Sequence, residues 1–244
     1  LGDASAGFFA GAQKISILIW EVVFTYVGVI FPVMAKNFRE DPEKFNRIIN
    51  YSVKFSFVFL LPPLLLIAVL SYSITEFIYG SRFLDSYWAL KILIFLPLLM
   101  LLDTLLSNAL IIAHRQKTAS LIKLATTAFM LVSVLLFARQ LGIGGVAFLL
   151  CLATALNAGL EYFYCRDFLR INFADSIIKP ALYSAAAGGL VFAVKSFSLI
   201  VAFVLAFVFY TLMVYFFRTF GRDEIELIKN NVRMIKSRFM DLKI

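Results

Sequence analysis

Long apolar segments alternate with short polar links along the whole chain. Each segment has the roughly 20 residues that an α-helix needs to cross a hydrocarbon core of about 30 Å. The segments therefore predict seven membrane-spanning helices, which cover residues 4–34, 53–71, 87–113, 119–137, 146–164, 177–194 and 198–217. The predicted fold class is all-α, a polytopic transmembrane helix bundle.

The start of the second helix has a clear local signal. Residues 35–40 are polar and predict a link after the first helix. Asp41 then suits an N-cap position, and Pro42 suits the first helical position that follows it. Further along the same helix, Pro62 and Pro63 predict a kink.

Three further links have predictable geometry. Residues 74–79 predict a short amphipathic helical turn that ends at Gly80. Residues 114–117 form so short a link that the third and fourth spans are expected to pair as a helical hairpin. Residues 142–145 contain three glycines and predict a turn between the fourth and fifth spans.

One face of the first helix is small or polar, although the helix is apolar elsewhere. Its charged members are Lys14 and Glu21, which lie two turns or about 10 Å apart and cannot pair directly. A charge at the bilayer centre costs roughly 2.5–3.5 kcal/mol, so this face is expected to point at protein or water. It is either a buried structural network or the wall of a transport cavity. The full face comprises Gly7, Gly11, Lys14, Leu18, Glu21, Thr25, Gly28 and Pro32.

Other spans also carry polar residues. Lys91 lies near the outer end of the third span and either snorkels to the surface or reaches a cavity. Asp103 lies deeper on that span and is a candidate for a buried or ion-coupled charge. Asn157 lies one turn before Glu161, for which a pair with Arg166 is expected. The candidate substrate-binding residues of a cavity are thus Lys14, Glu21, Thr25, Lys91, Asp103 and Asn157.

Composition and charge agree with a membrane protein. Hydrophobic residues make up 62% of the chain and charged residues 16%, against about a quarter in soluble domains. The net charge of +8 concentrates in alternate links, which places residue 1 outside and residue 244 in the cytoplasm by the positive-inside rule. We therefore expect no nucleic-acid partner. Residues 221–244 predict a basic amphipathic helix on the membrane surface, with a solvated tail helix as the alternative.

The sequence contains no catalytic constellation, so no enzyme activity is expected. It has no nucleophile, P-loop or metalloprotease motif, and Cys151 and Cys165 are too far apart to form a metal or disulfide framework. We expect no cofactor and no metal. A carboxylate inside the membrane could still couple transport to a gradient of H⁺ or Na⁺.

Four segments resemble motifs of the polysaccharide flippases in the MOP (multidrug/oligosaccharidyl-lipid/polysaccharide) superfamily. Residues 7–15 are similar to the pattern G-x-Y-x-x-A-x-x-I, with Phe9 at the tyrosine position. Residues 31–36 resemble the F-P-x-x-s-k helix exit. Residues 78–93 and 141–147 resemble the i-Y-G-x-x-F element and the G-i-x-G-a-A turn of the family.

The resemblance implies two six-helix lobes around a central cavity, with two added helices. A chain that starts outside and has seven spans matches helices eight to fourteen of such a protein. Residues 1–168 would be the C-terminal lobe, residues 169–220 two additional transmembrane helices, and residues 221–244 the cytoplasmic helix. The N-terminal half of the same protein would then be a partner of this chain.

The resemblance also implies a function. Such flippases move lipid-linked oligosaccharides, typically on a polyprenyl diphosphate, from the cytoplasmic to the outer leaflet of the bacterial inner membrane, by alternating access. For this chain the resemblance implies repeat units of O-antigen or lipopolysaccharide type as substrate. The other partners would be membrane lipids and the polysaccharide polymerase machinery. In this interpretation Lys14 contacts the diphosphate or an acidic sugar, and Glu21 or Asp103 has an ion-coupling or network role.

Several alternatives remain open at this point. A small-molecule (multidrug) exporter of the same superfamily would have a similar fold, and so would a peptidoglycan-precursor flippase. A non-catalytic membrane scaffold would also show seven spans, but it would have no reason to place Lys14 and Glu21 on one face.

Overall fold

A computed structural model describes residues 3–194 and 208–213 of the chain. These residues form helices and no strand, which confirms the predicted all-α class. The α-helices are α1 (Asp3–Glu40), α2 (Pro42–Val69), α3 (Ser71–Tyr79), α4 (Ser86–Leu93), α5 (Leu96–Ile112), α6 (Gln116–Cys165) and α7 (Lys179–Val194). A 3₁₀ turn, Ser81–Phe83, precedes α4, and a π-helical turn, Ala174–Ile178, precedes α7. Residues 208–213 are also helical.

Four helical segments are long and apolar enough to cross a membrane. They are Ser5–Glu40, Pro42–Val69, Ser86–Ile112 and Gln116–Cys165, and α7 follows them. Only residues 208–213 of the predicted seventh span are described. The predicted surface helix of residues 221–244 lies outside the described residues.

The long segment α6 consists of two antiparallel arms. Gly142 has φ 62° and ψ −165°, which breaks the helix between the arms. The Thr126 hydroxyl donates to Asn157 Oδ1 over 2.7 Å, although the two residues are 31 apart in sequence. A straight helix would separate them by about 46 Å. The turn and the two spans predicted on either side of it are therefore confirmed.

The predicted link at residues 35–40 is wrong, because α1 continues through it to Glu40. Apolar contacts explain the extra turns. The Phe38 ring packs edge-to-face on Phe45 and on Phe168, with centroids 5.1 Å and 5.6 Å away. These contacts outweigh the polar composition of the segment.

The start of α2 agrees with its sequence signal. Asp41 Oδ1 accepts a hydrogen bond of 2.9 Å from the Lys44 backbone N–H, and Pro42 opens the helix. Pro62 and Pro63 lie inside α2, which continues past them as one helix.

The predicted third span is broken into α4 and α5. The break falls at residues 94–95, where the Phe95 N–H bonds to the Ile92 carbonyl over 3.2 Å in a tighter turn. Pro97 explains the position, because a proline has no N–H for the preceding turn and is tolerated only at the start of a helix. The helix therefore ends and begins again just before this proline.

The centre of the fold is α5, which packs against α1, α2 and both arms of α6. Its core side chains are fully buried, with Leu101, Leu105, Ala109 and Leu110 all at 0% exposure. The last described elements lie on the α2 side of the bundle. There α7 packs against α2, and the Tyr210 hydroxyl donates to the Val58 carbonyl over 2.7 Å.

Two asparagines of α2 fasten the linker between α6 and α7. Asn46 donates to the Phe168 carbonyl (3.1 Å) and accepts from the Arg170 N–H (2.9 Å). One turn later, Asn50 donates to the Arg170 carbonyl (2.8 Å) and accepts from the Asn172 N–H (2.8 Å). We call these four hydrogen bonds the amide clamp. They fix the backbone of the linker along the surface of α2.

Candidate functional site

The charged part of the polar face of α1 points away from the rest of the described chain, whereas Gly11 of that face is buried against Tyr79. Lys14, Glu21 and Thr25 are all exposed. At 3.6 residues per turn, their face lies about 180° from the face that α1 buries in the core. Among the described residues, neither charged side chain takes part in an ion pair. The buried face comprises Ala12, Ser16, Val23, Val27 and Met34.

Three of the four segments that resemble flippase motifs meet at one end of the bundle, namely residues 7–15, 78–93 and 141–147. The Tyr79 hydroxyl donates to the Gly11 carbonyl over 2.9 Å, and Phe8 packs edge-to-face on Phe83 with centroids 5.2 Å apart. Next to them, Gly144 lies against Trp88 and shares with it the wall of a cavity of about 710 Å³. These three segments thus hold helices together.

A network of polar side chains connects α5 to both arms of α6. Lys123 Nζ lies 2.7 Å from Asp103 Oδ2, and the Asn157 amide donates to the other carboxylate oxygen. Asn157 in turn accepts from Thr126 over 2.7 Å. The Asp103 carboxylate therefore joins α5 to both arms of α6, and the Asp103 side chain is only 9% exposed.

The sequence identified Asp103 and Asn157 as candidates but did not single out Lys123. The sequence nevertheless contained a signal that pairs Lys123 with Asp103. Asp103 and Lys123 are 20 residues apart, and the tight link of the helical hairpin falls midway between them. Two antiparallel helices joined there must bring these residues to the same level.

Glu161 lies one turn beyond Asn157 and is 0% exposed. Neither of its carboxylate oxygens has a hydrogen-bond partner among the described residues. The expected pair with Arg166 is wrong, because the Arg166 guanidinium lies over the Phe163 ring, 4.0 Å from its centroid. Stacking on an exposed ring holds the cation outside the core, and the carboxyl group has no counter-ion on its own arm.

A cavity of about 330 Å³ opens beside the network, between α1, α5 and α6. Asp103 and Lys123 form part of its wall, and Gln13, Ser16 and Trp20 of α1 face them. The Lys123 side chain is 60% exposed, so the ammonium group lies at the mouth and the carboxylate behind it.

The structure therefore divides the six predicted cavity residues into three groups. Asp103 and Asn157 belong to the network, whereas Lys14, Glu21 and Thr25 share the outward face of α1. Lys91 stands apart, exposed and 5.7 Å from the ring centroid of Trp88. Within the described ranges, no group of three His, Cys, Asp or Glu residues could hold a metal ion.

Two comparisons relate the chain to known proteins. Residues 1–88 match the family model of a polysaccharide biosynthesis protein. No curated protein matches the sequence significantly. The fold is similar to the solved structure of the lipid II flippase MurJ in an inward closed conformation, with a TM-score of 0.72 and 17% sequence identity. The match covers 88% of this chain and 47% of the flippase, so the chain spans about half its length.

MurJ is a member of the MOP superfamily. The predicted resemblance is thus confirmed, by the family model over the first 88 residues and by the fold over most of the chain. The part of the chain that the structure describes has a MurJ-like, all-helical fold with helices long and apolar enough to cross a membrane.

Proposed function

We propose that this chain is part of a flippase that moves a lipid-linked saccharide from the cytoplasmic to the outer leaflet of a bacterial inner membrane. The observation that carries the proposal is the shared fold with a lipid II flippase over 88% of the chain. The polysaccharide biosynthesis match over residues 1–88 favours a polysaccharide precursor on a polyprenyl diphosphate as substrate, such as an O-antigen-type repeat unit.

The outward face of α1 supports a transport cavity. Lys14, Glu21 and Thr25 turn away from this chain's own core, and charges at bilayer depth require protein or water around them. In the proposed transporter this face lines the cavity opposite the N-terminal half of the protein, and alternating access moves substrate past it. The Lys14 ammonium then meets the diphosphate as a compact point charge.

The surroundings of Asp103 and Glu21 differ, and the difference indicates which carboxylate is suited to couple transport to an ion gradient. Asp103 already has the Lys123 ammonium 2.7 Å away, so a cation is in place beside it. Glu21 is exposed on the cavity-facing side and has no such neighbour among the described residues. We therefore assign coupling to H⁺ or Na⁺ to Glu21 and a structural role to Asp103.

The proposal is tested in cells with the full-length protein. The gene is deleted in its host and replaced by the parent, by Lys14→Ala, by Lys14→Arg, or by the control Lys117→Ala, which removes an exposed lysine at the start of α6. We expect deletion and Lys14→Ala to reduce surface polysaccharide and to leave lipid-linked oligosaccharide in the inner leaflet. Lys14→Arg and Lys117→Ala should retain most of the export.

Two results would contradict this proposal. Unchanged export by Lys14→Ala at equal protein level would exclude an anion-binding role for the lysine. Normal surface glycan in the deletion strain, with altered sensitivity to cationic drugs, would place the protein among the small-molecule exporters instead.

A further inference from the structure

A basic cleft lies where the first turns of α2 meet the linker and the beginning of α7. Arg47 and Lys54 of α2 and Arg170 of the linker contribute its cations. The cleft has a volume of about 290 Å³, and a neighbouring one of about 350 Å³ shares Asn46 and Arg170 with it. The remaining lining residues are Asn50, Tyr51, Asn172, Asp175 and Ser176.

The position of the cleft corresponds to the membrane boundary. The helix α2 has 28 residues and is therefore about 42 Å long, whereas the hydrocarbon core is about 30 Å thick. With the far end of α2 at the opposite boundary, Arg47 lies at the level of the lipid headgroups. Lys54 lies two turns deeper and reaches the same level by extending its side chain along the helix.

The cleft remains positively charged after its acidic group is counted. Lys179, one turn beyond Asp175, donates a hydrogen bond to that carboxylate. This hydrogen bond lowers the pKa of Asp175, so the carboxylate is ionised and neutralised by Lys179. Arg47 and Arg170 therefore carry the positive charge that the cleft offers to an anion. Both arginine side chains are exposed and can donate to an anion.

The amide clamp holds the cleft in shape before any ligand arrives. The Arg170 N–H and carbonyl are both bonded to α2, to Asn46 at 2.9 Å and to Asn50 at 2.8 Å. The backbone of this residue is therefore fixed beside Arg47, and binding an anion does not require ordering the linker. Such preorganisation lowers the entropic cost of binding.

Exposed apolar side chains continue from the cleft along α7. Ile178 is 53% exposed and Leu182, one turn later on the same face, is 62% exposed. A ligand with its phosphate in the cleft would place an acyl chain along this surface. A soluble anion would gain nothing from these side chains.

We propose that this cleft binds the phosphate group of an anionic membrane lipid. The site is separate from the outward face of α1 and from the Asp103 network. It does not depend on the flippase assignment, because lipid binding is measured without transport. Clusters of basic side chains at the cytoplasmic end of membrane helices are suited to such headgroups.

The test compares two double variants of the full-length protein with equal loss of charge. R47Q/R170Q removes two cations of the cleft, and the control K36Q/K117Q removes two exposed lysines outside it. Each protein is placed in bilayers of phosphatidylcholine alone or mixed with phosphatidylglycerol, and the bound phosphatidylglycerol is counted after mild extraction by native mass spectrometry. Each cation near an anionic lipid is worth about fivefold in affinity, so the cleft variant should bind ~25-fold more weakly.

Two further arms distinguish a bound lipid from misfolding and from a soluble anion. R47K/R170K keeps both charges and should retain most of the lipid, which shows that loss in the glutamine variant is not misfolding. Inorganic phosphate should fail to displace the lipid. Equal binding by R47Q/R170Q and K36Q/K117Q would overturn the proposal. Displacement by inorganic phosphate at similar affinity would instead make this a soluble-anion site and would equally refute the lipid assignment.

Discussion

The ion pair of Asp103 and Lys123 joins a buried carboxylate to an exposed ammonium group, so its two single substitutions are expected to lower stability by different amounts. Lys123→Met removes the ammonium but keeps the length of the side chain, so the Asp103 carboxylate is left with the Asn157 amide as its partner. Asp103→Asn removes the other charge and leaves Lys123, which already reaches the mouth of the cavity. Both changes remove the same 2.7 Å contact, but each leaves a different group without its charged partner.

The loss of stability in each variant depends on how exposed the remaining charged side chain is. Removing one partner of a buried pair costs about 3–5 kcal/mol, whereas an exposed pair is worth about 0–1 kcal/mol. Lys123→Met leaves the Asp103 side chain, which is 9% exposed, without its cation. Asp103→Asn leaves the Lys123 side chain, which is 60% exposed, without its anion. We therefore expect a loss of about 3 kcal/mol for the first change and about 1 kcal/mol for the second. The double variant should be more stable than Lys123→Met alone.

The free energies are measured on the full-length protein by SDS-induced unfolding from mixed micelles, for the parent, both single variants and the double variant. The cycle isolates the coupling between the two residues. Equal losses for the two single changes, or losses that add in the double variant, would refute this account of the pair.

Two further predictions concern backbone geometry and pH. Gly142→Ala should cost about 1–3 kcal/mol in the same unfolding assay, because φ 62° with ψ −165° is a region open essentially to glycine alone. Gly159→Ala on the following arm, where an added Cβ meets open space, should be neutral or stabilising; equal effects of the two changes would contradict the strain argument. Asp175 has a lowered pKa through its hydrogen bond from Lys179, so its contribution is present above the unfolded pKa and disappears as pH falls through the folded one. The stability difference between parent and Asp175→Asn should therefore shrink in acid, and a difference that is independent of pH would exclude this linkage.

Much of the fold was predictable because membrane helices carry their signals locally. Hydrophobic length located the four long apolar segments, Asp41-Pro42 marked the start of α2, and the glycines at residues 142–145 marked the break in α6. One boundary was mispredicted for a reason outside the local sequence. Residues 35–40 are helical because the Phe38 ring packs on Phe45 and Phe168. The break at residues 94–95 lies inside a segment, Ser86–Ile112, that is long and apolar enough as a whole to span a membrane, and Pro97 explains its position.

The candidate site was only half predictable. Polar residues inside apolar segments stand out, so Asp103 and Asn157 were identified as candidates from sequence. Lys123 did not stand out, because a lysine near a helix end resembles an ordinary loop cation until the hairpin is folded. The asparagines of the amide clamp gave no signal, since their partners are backbone groups more than a hundred residues away.

The amide clamp has a consequence for mutational tolerance. It contacts only the N–H and C=O groups of the linker, so any residue except proline can occupy positions 170 and 172 without losing a hydrogen bond of the clamp. The alternating positions are constrained instead, since Leu169 is 0% and Ile171 8% exposed. A segment held by its main chain can change its outward side chains without losing its attachment to α2. The surface chemistry of the linker can therefore change while the attachment of the linker to α2 stays the same.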